Sequence, residues 1–413
     1  MSSTQQTHKG INPKVLPIFI VFMVMGFGDV AGPLAGIVKE DLQISNFLSQ
    51  LIPFSGYILF GLLSIPLGLM QDRKGKKFIL VLGLSVAFVG LLLPTFGVYP
   101  VDIDQLGGGD VTGFFLMILF SILLLGLANT ILQVAGNPIV RDVSQPGMYS
   151  RNLSIGQFVK AIGTLSASVI PLVAVRWFGA DWQVLFPIYT LVILLTLIWV
   201  APMKIKEQEH EKEFKASFRS SMRLLKNPYV LLMVLGIFVY VGSEIAMRSN
   251  LPIYLKEEFG INIKKEGLAG VLFFDLALLA GRFLGGVILN WLKPKAFFRI
   301  SVVVALLGLF GLFLASSSWG VELSRLGFVS AILIGLGFAN IFPLIFSITI
   351  DSMPERSNEL SGLMVTAIVG GAFLPPLMGL MADQWSVLVG FFVPVAAVLY
   401  ITSLALFNVK SNQ

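Results

Sequence analysis

Cysteine is absent from all 413 residues, which excludes disulfides, thiol nucleophiles and thiolate metal sites. Histidine is nearly absent. His8 lies in a polar N-terminal stretch and His210 in a charged loop, and two such residues make no metal site of ordinary type. Charge is scarce: 13% of residues are charged and 56% are hydrophobic, which no soluble domain shows. The net charge of +6 therefore reflects basic loops and does not point to a nucleic-acid partner. No G-x-x-x-x-G-K-[ST] stretch offers nucleotide hydrolysis, and no acid cluster offers an enzyme site. Neither an enzyme nor an organic cofactor or metal is expected.

What the chain has in quantity is long apolar runs. A bilayer core takes about 20 helical residues, and twelve runs qualify, over about 15–38, 46–70, 78–98, 112–137, 150–175, 183–203, 228–255, 267–290, 296–316, 323–350, 358–382 and 386–407. Lipid offers the backbone no partner, so each span is predicted to be helical. The expected class is an all-α membrane protein with a lipid bilayer as its surroundings. Pro138, Pro171, Pro252, Pro343, Pro375 and Pro376 predict spans that are not straight. The N-terminus, MSSTQQTHKGINPK, is polar and leads into a full-length span, unlike a cleaved signal peptide.

Lys and Arg set the orientation. With both termini cytoplasmic, the inner segments hold 20 of the 29 basic residues, the outer loops hold six (Lys39, Arg176, Lys256, Lys264, Lys265, Arg325), and Lys160, Arg248 and Arg282 lie within spans. The segment Lys204–Lys226 divides the spans six and six, so the expected parts are an N-terminal half 1–203, a cytoplasmic linker 204–226 and a C-terminal half 227–413. The linker reads as an interfacial amphipathic helix or a plain tether. A faint repeat accompanies the division: Leu125-Gly-Leu-Ala-Asn129 and Leu336-Gly-Phe-Ala-Asn340 are 211 residues apart, and Gly28-Asp29 of span 1 faces Gly242-Ser-Glu244 of span 7.

Charges inside the spans are the first candidates for function, because a carboxylate near mid-membrane costs roughly 2.5–3.5 kcal/mol. Asp29 lies in Leu16–Gly36, flanked by Gly26, Gly28 and Gly32, which permit close helix approach, and by Pro33. Lys160 lies deep in span 5 and needs a counter-charge, for which Asp29 is the natural candidate. Glu244 and Arg248 are spaced to pair on one helix face. Arg282 is expected to snorkel to a helix end; Asp275 fits a structural or a functional role equally. Asn129, Gln133 and Asn137 recur every fourth residue along span 4, a polar stripe suited to a hydroxyl-rich ligand or to interhelical bonding.

Between spans 2 and 3 the chain reads Gly68-Leu-Met-Gln-Asp72-Arg73-Lys74-Gly75-Lys76-Lys77. Gly68 is expected to let the end of span 2 approach a neighbour, and Gly75 to permit a tight turn. This run matches the loop signature G-x-x-x-D-[RK]-x-G-[RK]-[RK] of the major facilitator superfamily at every defined position. The resemblance implies a latch that holds the cytoplasmic side shut, formed by Gly68, Asp72, Arg73, Gly75 and Lys76. Gly286-Val-Ile-Leu-Asn290-Trp-Leu-Lys293-Pro-Lys295 resembles a decayed copy.

Further segments resemble the fucose permease branch, the sugar–cation symporters: Gly28-Asp29 through Leu34, Gln133-Val-Ala-Gly-Asn137-Pro138, Gly281-Arg282-Phe283 with Gly285, Pro343-Leu-Ile-Phe346-Ser347, Gly370-Gly371 and Pro376-Leu-Met-Gly379. Glu244 after Tyr240-Val-Gly resembles the hexose and amino-sugar members. The resemblance implies two six-helix halves with the substrate near the midplane between them. It also implies uptake of a monosaccharide, driven by a proton or sodium gradient, in a monomer of the bacterial inner membrane. Asp29 and Glu244 become the cation-coupling candidates. Asn129, Gln133, Asn137, Lys160, Arg248 and Asn340 become the substrate-binding candidates. Where the fucose permease has an acid in span 4, this chain has Gln133, and a neutral residue of span 5 is replaced by Lys160. That exchange leaves open an acidic or amino sugar, or another organic anion. A drug or amphiphile exporter is the rival, but span 4 lacks the arginine usual there. A channel or membrane enzyme is disfavoured.

Overall fold

The computed structural model describes residues 16–106, 108–143, 149–203, 218–261, 268–289, 291–316, 324–353 and 356–406. Twelve helices are long and apolar enough to cross a membrane. The first six are α1 (Ile18–Leu42), α2 (Leu51–Gln71), α3 (Lys76–Gly97), α4 (Asp110–Asn137), α5 (Ile155–Phe178) and α6 (Trp182–Val200). The second six are α7 (Pro228–Phe259), α8 (Val271–Ile288), α9 (Pro294–Ala315), α10 (Arg325–Ile350), α11 (Gly362–Gln384) and α12 (Val387–Leu406). An even number of spans returns the chain to the face from which it starts, here called the terminal face; the other is the far face. Large apolar side chains point outward, Phe96 with 75% of its surface exposed among them, and lipid is the medium that suits such a surface.

Two helices break where proline predicts. Pro33 has no N–H to donate to the carbonyl of Asp29, four residues back, and α1 passes through a 3₁₀ turn at Gly28–Val30. Pro343 stands in the same relation to Ala339, and α10 is interrupted between Phe338 and Ile341. Each break falls in the buried middle of the bundle.

Glycines then bring helices together. A Cβ built at Gly163 of α5 lies 2.0 Å from the Met23 carbonyl of α1, and one at Gly26 lies 2.2 Å from the Lys160 carbonyl. The second half repeats the arrangement, with Gly370 of α11 at 1.8 Å from the Phe238 carbonyl of α7. Met23 and Phe238 are 215 residues apart, and so are Asp29 and Glu244, so the two acids occupy matching places in the two halves. The lettered repeat around Asn129 and Asn340 does not mark matching places. Gly126 closes on the Gly56 carbonyl of α2, whereas the matching contact to α8, at the Phe274 carbonyl, belongs to Gly335, and Gly337 packs on Ala305 of α9.

The far face is closed between the halves. Lys39 pairs with Glu257 at 3.1 Å and Lys256 with Glu40 at 3.4 Å. Asp383 at the end of α11 accepts from the backbone N–H groups of Asn46 and Phe47 at 3.0 and 2.8 Å. At the terminal face the loop Arg73–Lys77 turns at Gly75, whose φ of 86° needs glycine. Arg73 and Lys74 are exposed, and the Asp72 side chain lies outside the described residues. The close approach expected at Gly68 is not made here, since a Cβ there meets nothing within 4 Å. Gly286, its counterpart, is equally open, and Asn290 lies outside the described residues. Of the linker, 204–217 lie outside the described residues; the short helix Phe218–Leu224 docks through Ser220 on Glu359, which also pairs with Arg356.

The α1–α5 contact is therefore expected to tolerate no side chain. Gly163→Val should destabilise the protein by about 1–3 kcal/mol through overpacking, read as a lower melting temperature in detergent. Gly113→Ala, where nothing lies within 4 Å of the added methyl, should leave it unchanged.

Candidate functional site

A cavity with about 500 Å³ of empty space lies between the halves, within the range of small-molecule sites, roughly 300–1,000 Å³. Asp29, Tyr57, Gln133, Gln157 and Lys160 line it from the first half. Tyr240, Glu244, Arg248 and Arg282 line it from the second, with Phe342 and Pro343 beside them. Its walls mix hydroxyls, amides, two tyrosine rings and paired charges, which suits a small polar solute rather than a lipid-like one.

Asp29 is buried at the 3₁₀ turn of α1. One carboxylate oxygen accepts from the Tyr57 hydroxyl at 2.7 Å and the other from Thr164 at 2.7 Å. Lys160 Nζ stands 3.6 Å from Asp29 Oδ2, so the pairing expected from sequence is present as a loose contact. The Gly26–Gly163 approach creates it, because it sets the backbone of Lys160 directly against α1. Thr164 lies one turn beyond Lys160 on the same face of α5.

Glu244 anchors the second half. It accepts from Tyr240, and Arg248 Nη1 lies 2.7 Å from its Oε1. Arg248 Nε also donates to Asp275 at 2.7 Å, so one guanidinium joins α7 to α8. With only 1% of its side chain exposed, it is held by two carboxylates as a buried cation requires. Its Cβ would lie 2.9 Å from a methyl at Gly32, so the glycine of α1 makes room for an arginine of the other half. Asp275 reaches across in turn, 3.4 Å from the Ser168 hydroxyl of α5. Arg282 does not snorkel as expected: its Nη2 points inward, 3.3 Å from Glu244 Oε1. Three acids (Asp29, Glu244, Asp275) thus meet three bases (Lys160, Arg248, Arg282).

The polar stripe of α4 divides. Gln133 lines the cavity and donates to Asn129 Oδ1 at 3.2 Å. Asn129 and Asn137 are buried but do not line it; Asn129 packs against Gly28. Asn340 also lies off the cavity wall, donating to the Gly281 carbonyl at 2.7 Å and sitting against Gly285. Sequence reasoning missed Tyr57, Thr164 and Gln157 as site residues. Thr164 and Gln157 stand four and three residues from Lys160, the helical spacing that names its neighbours; Tyr57 carried only the signal of a phenol in an apolar span.

The model of the Major Facilitator Superfamily matches residues 18–372. A glucose/galactose transporter of Brucella abortus is 27% identical over 388 residues, covering 91% of this chain and 88% of that one. An L-fucose-proton symporter of Haemophilus influenzae is 24% identical over 412 residues, covering 92% and 91%. The solved structure of the E. coli fucose:proton symporter superposes with a TM-score of 0.66 at 20% identity, covering 97% of this chain and all of that one, a likeness of fold.

Arg248 is the member of the network whose loss leaves most behind. Arg248→Met should destabilise the protein by about 3–5 kcal/mol, because two carboxylates lose their cation. Adding Glu244→Gln and Asp275→Asn to that variant should recover much of the melting temperature, since a buried ion pair replaced as a unit is often near neutral.

Proposed function

The chain belongs to the Major Facilitator Superfamily, and we propose that it imports a monosaccharide by cation symport. The observation that carries the proposal is the Asp29–Lys160 contact on the cavity wall at the break of α1. Relatives across nine-tenths of the chain that are described as a glucose/galactose transporter and an L-fucose-proton symporter support the sugar and the proton. Sodium is the alternative coupling ion. The excess of Lys and Arg on the terminal face supports assigning that face to the cytoplasm.

In this mechanism the halves 1–203 and 227–413 rock about the cavity, tethered by 204–226. With the far face closed and Gly68 open, the conformation corresponds to one in which the latch of Gly68, Asp72, Arg73, Gly75 and Lys76 is released. The latch re-forms when the far face opens. Gln133, Gln157 and the tyrosines offer donors and acceptors to sugar hydroxyls, with Lys160 and Arg248 beside them. Asn129, Asn137 and Asn340 hold their helices in place around the solute. Asp29 alternates between Lys160 and the coupling ion as solute arrives, with Glu244 in the matching role opposite.

The energies are of the right size. An ion pair near 4 Å is worth about 4 kcal/mol at an effective dielectric of 20. Driving a two-state equilibrium from 1:99 to 99:1 takes roughly 5.5 kcal/mol. Exchange of one such contact thus supplies most of what coupling needs.

Proteoliposomes given labelled galactose, glucose or fucose under an inward proton gradient, with and without sodium, test the proposal. The wild type should accumulate solute above equilibrium. Asp29→Asn should lose accumulation while retaining solute exchange. Full gradient-driven accumulation by Asp29→Asn would overturn the coupling role.

A further inference from the structure

The three buried cations are not held alike. Arg248 meets two carboxylates at 2.7 Å and is sealed from the cavity's contents by both. Lys160 and Arg282 stand 3.6 and 3.3 Å from their acids, longer than the 2.7–2.9 Å of a well-made charged hydrogen bond. Their side chains keep 14% and 10% of their surface open, and both line the cavity.

The two also face one seam. Helices α5 and α8 pack side by side in opposite directions. Ser168 meets Asp275 at one level, and the rings of Phe158 and Phe283 lie 5.9 Å apart at another. Lys160 follows Phe158 by two residues and Arg282 precedes Phe283 by one. Both cations therefore sit at the same depth, on opposite sides of the line where the two halves meet.

The acids opposite them do not depend on these cations alone. Asp29 keeps the Tyr57 and Thr164 hydroxyls, and Glu244 keeps Tyr240 and Arg248. A guest anion can thus draw Lys160 and Arg282 away without stripping either carboxylate bare. A neutral sugar has no use for two such groups; a carboxylate has, and a guanidinium fork presents paired donors to it.

From this geometry we infer that the solute is an acidic monosaccharide, a hexuronate, whose carboxylate docks between Lys160 and Arg282 while its hydroxyls meet Gln133 and Gln157. The inference rests on the monosaccharide reading above and names its class. It has a consequence for charge. A hexuronate carried with one proton moves no net charge, whereas a neutral hexose carried with one proton moves one.

Scanning fluorimetry of the purified full-length protein tests it with D-glucuronate, D-galacturonate, D-glucose, D-galactose, L-fucose and sodium nitrate at constant ionic strength. The uronates should raise the melting temperature and bind at least about tenfold tighter than the matching hexoses, as a buried charge contact provides. Lys160→Gln and Arg282→Gln should each remove that preference, and Lys160→Arg, which keeps the charge, should restore it. In proteoliposomes, uronate uptake should follow a pH gradient and ignore a membrane potential. Binding of hexoses without uronates overturns the acidic class and leaves the sugar reading intact. Binding of nitrate as tight as that of the uronates shows an inorganic-anion site and overturns the hexuronate. Binding of no sugar of either kind overturns both readings.

Discussion

The contact on which the site depends is that between Asp29 and Lys160, two charges of opposite sign held 3.6 Å apart inside a membrane-spanning bundle. Neither is stable there alone, because removing an ion from water costs several kcal/mol that only a partner returns. Both helices are shaped around the pair. Pro33 relaxes α1 at the acid, and Gly26 and Gly163 bring the lysine's helix against it. Tyr57 and Thr164 fill the remaining acceptor positions of the carboxylate. The resulting contact is long enough to be exchanged and buried enough for the exchange to matter.

The second half repeats the placement of the acid and changes its partners. Glu244 stands 215 residues after Asp29, on a helix held to α11 by the same kind of glycine contact. Its cation Arg248 is shared with Asp275, and the whole side chain is packed against Gly32 of the first half. The first half thus holds a loose pair and the second a tight one. A transporter that must change shape around a fixed site needs both: a rigid side against which work is done, and a side that answers to what has bound. The closed far face, laced by Lys39–Glu257, Lys256–Glu40 and Asp383, is the mechanical counterpart of this arrangement.

Much of this was legible in the sequence. Twelve spans follow from hydropathy and length alone, because lipid permits few alternatives to a helix. The Asp29–Lys160 and Glu244–Arg248 pairs followed from the rule that a buried charge needs an opposite one, and proline located the breaks in α1 and α10. Side-chain direction was less legible. Arg282 is close enough to a helix end to snorkel, and only the position of Glu244 across the seam turns it inward. Asn340 matches Asn129 in letters, yet the two face different neighbours, because the glycines that set the rotation of α10 are displaced by two residues. Tyr57 became visible only once α1, α2 and α11 were assembled around it.

The account's central claim is that solute binding releases Asp29 to take up the coupling ion. Isothermal titration of the purified protein with its solute, in two buffers of different ionisation enthalpy and with sodium present or absent, measures this directly. The account predicts uptake of about one proton per solute bound, or in its place a sodium-dependent affinity, and loss of either in Asp29→Asn. Solute binding with no proton taken up, and with an affinity indifferent to both pH and sodium, would contradict it.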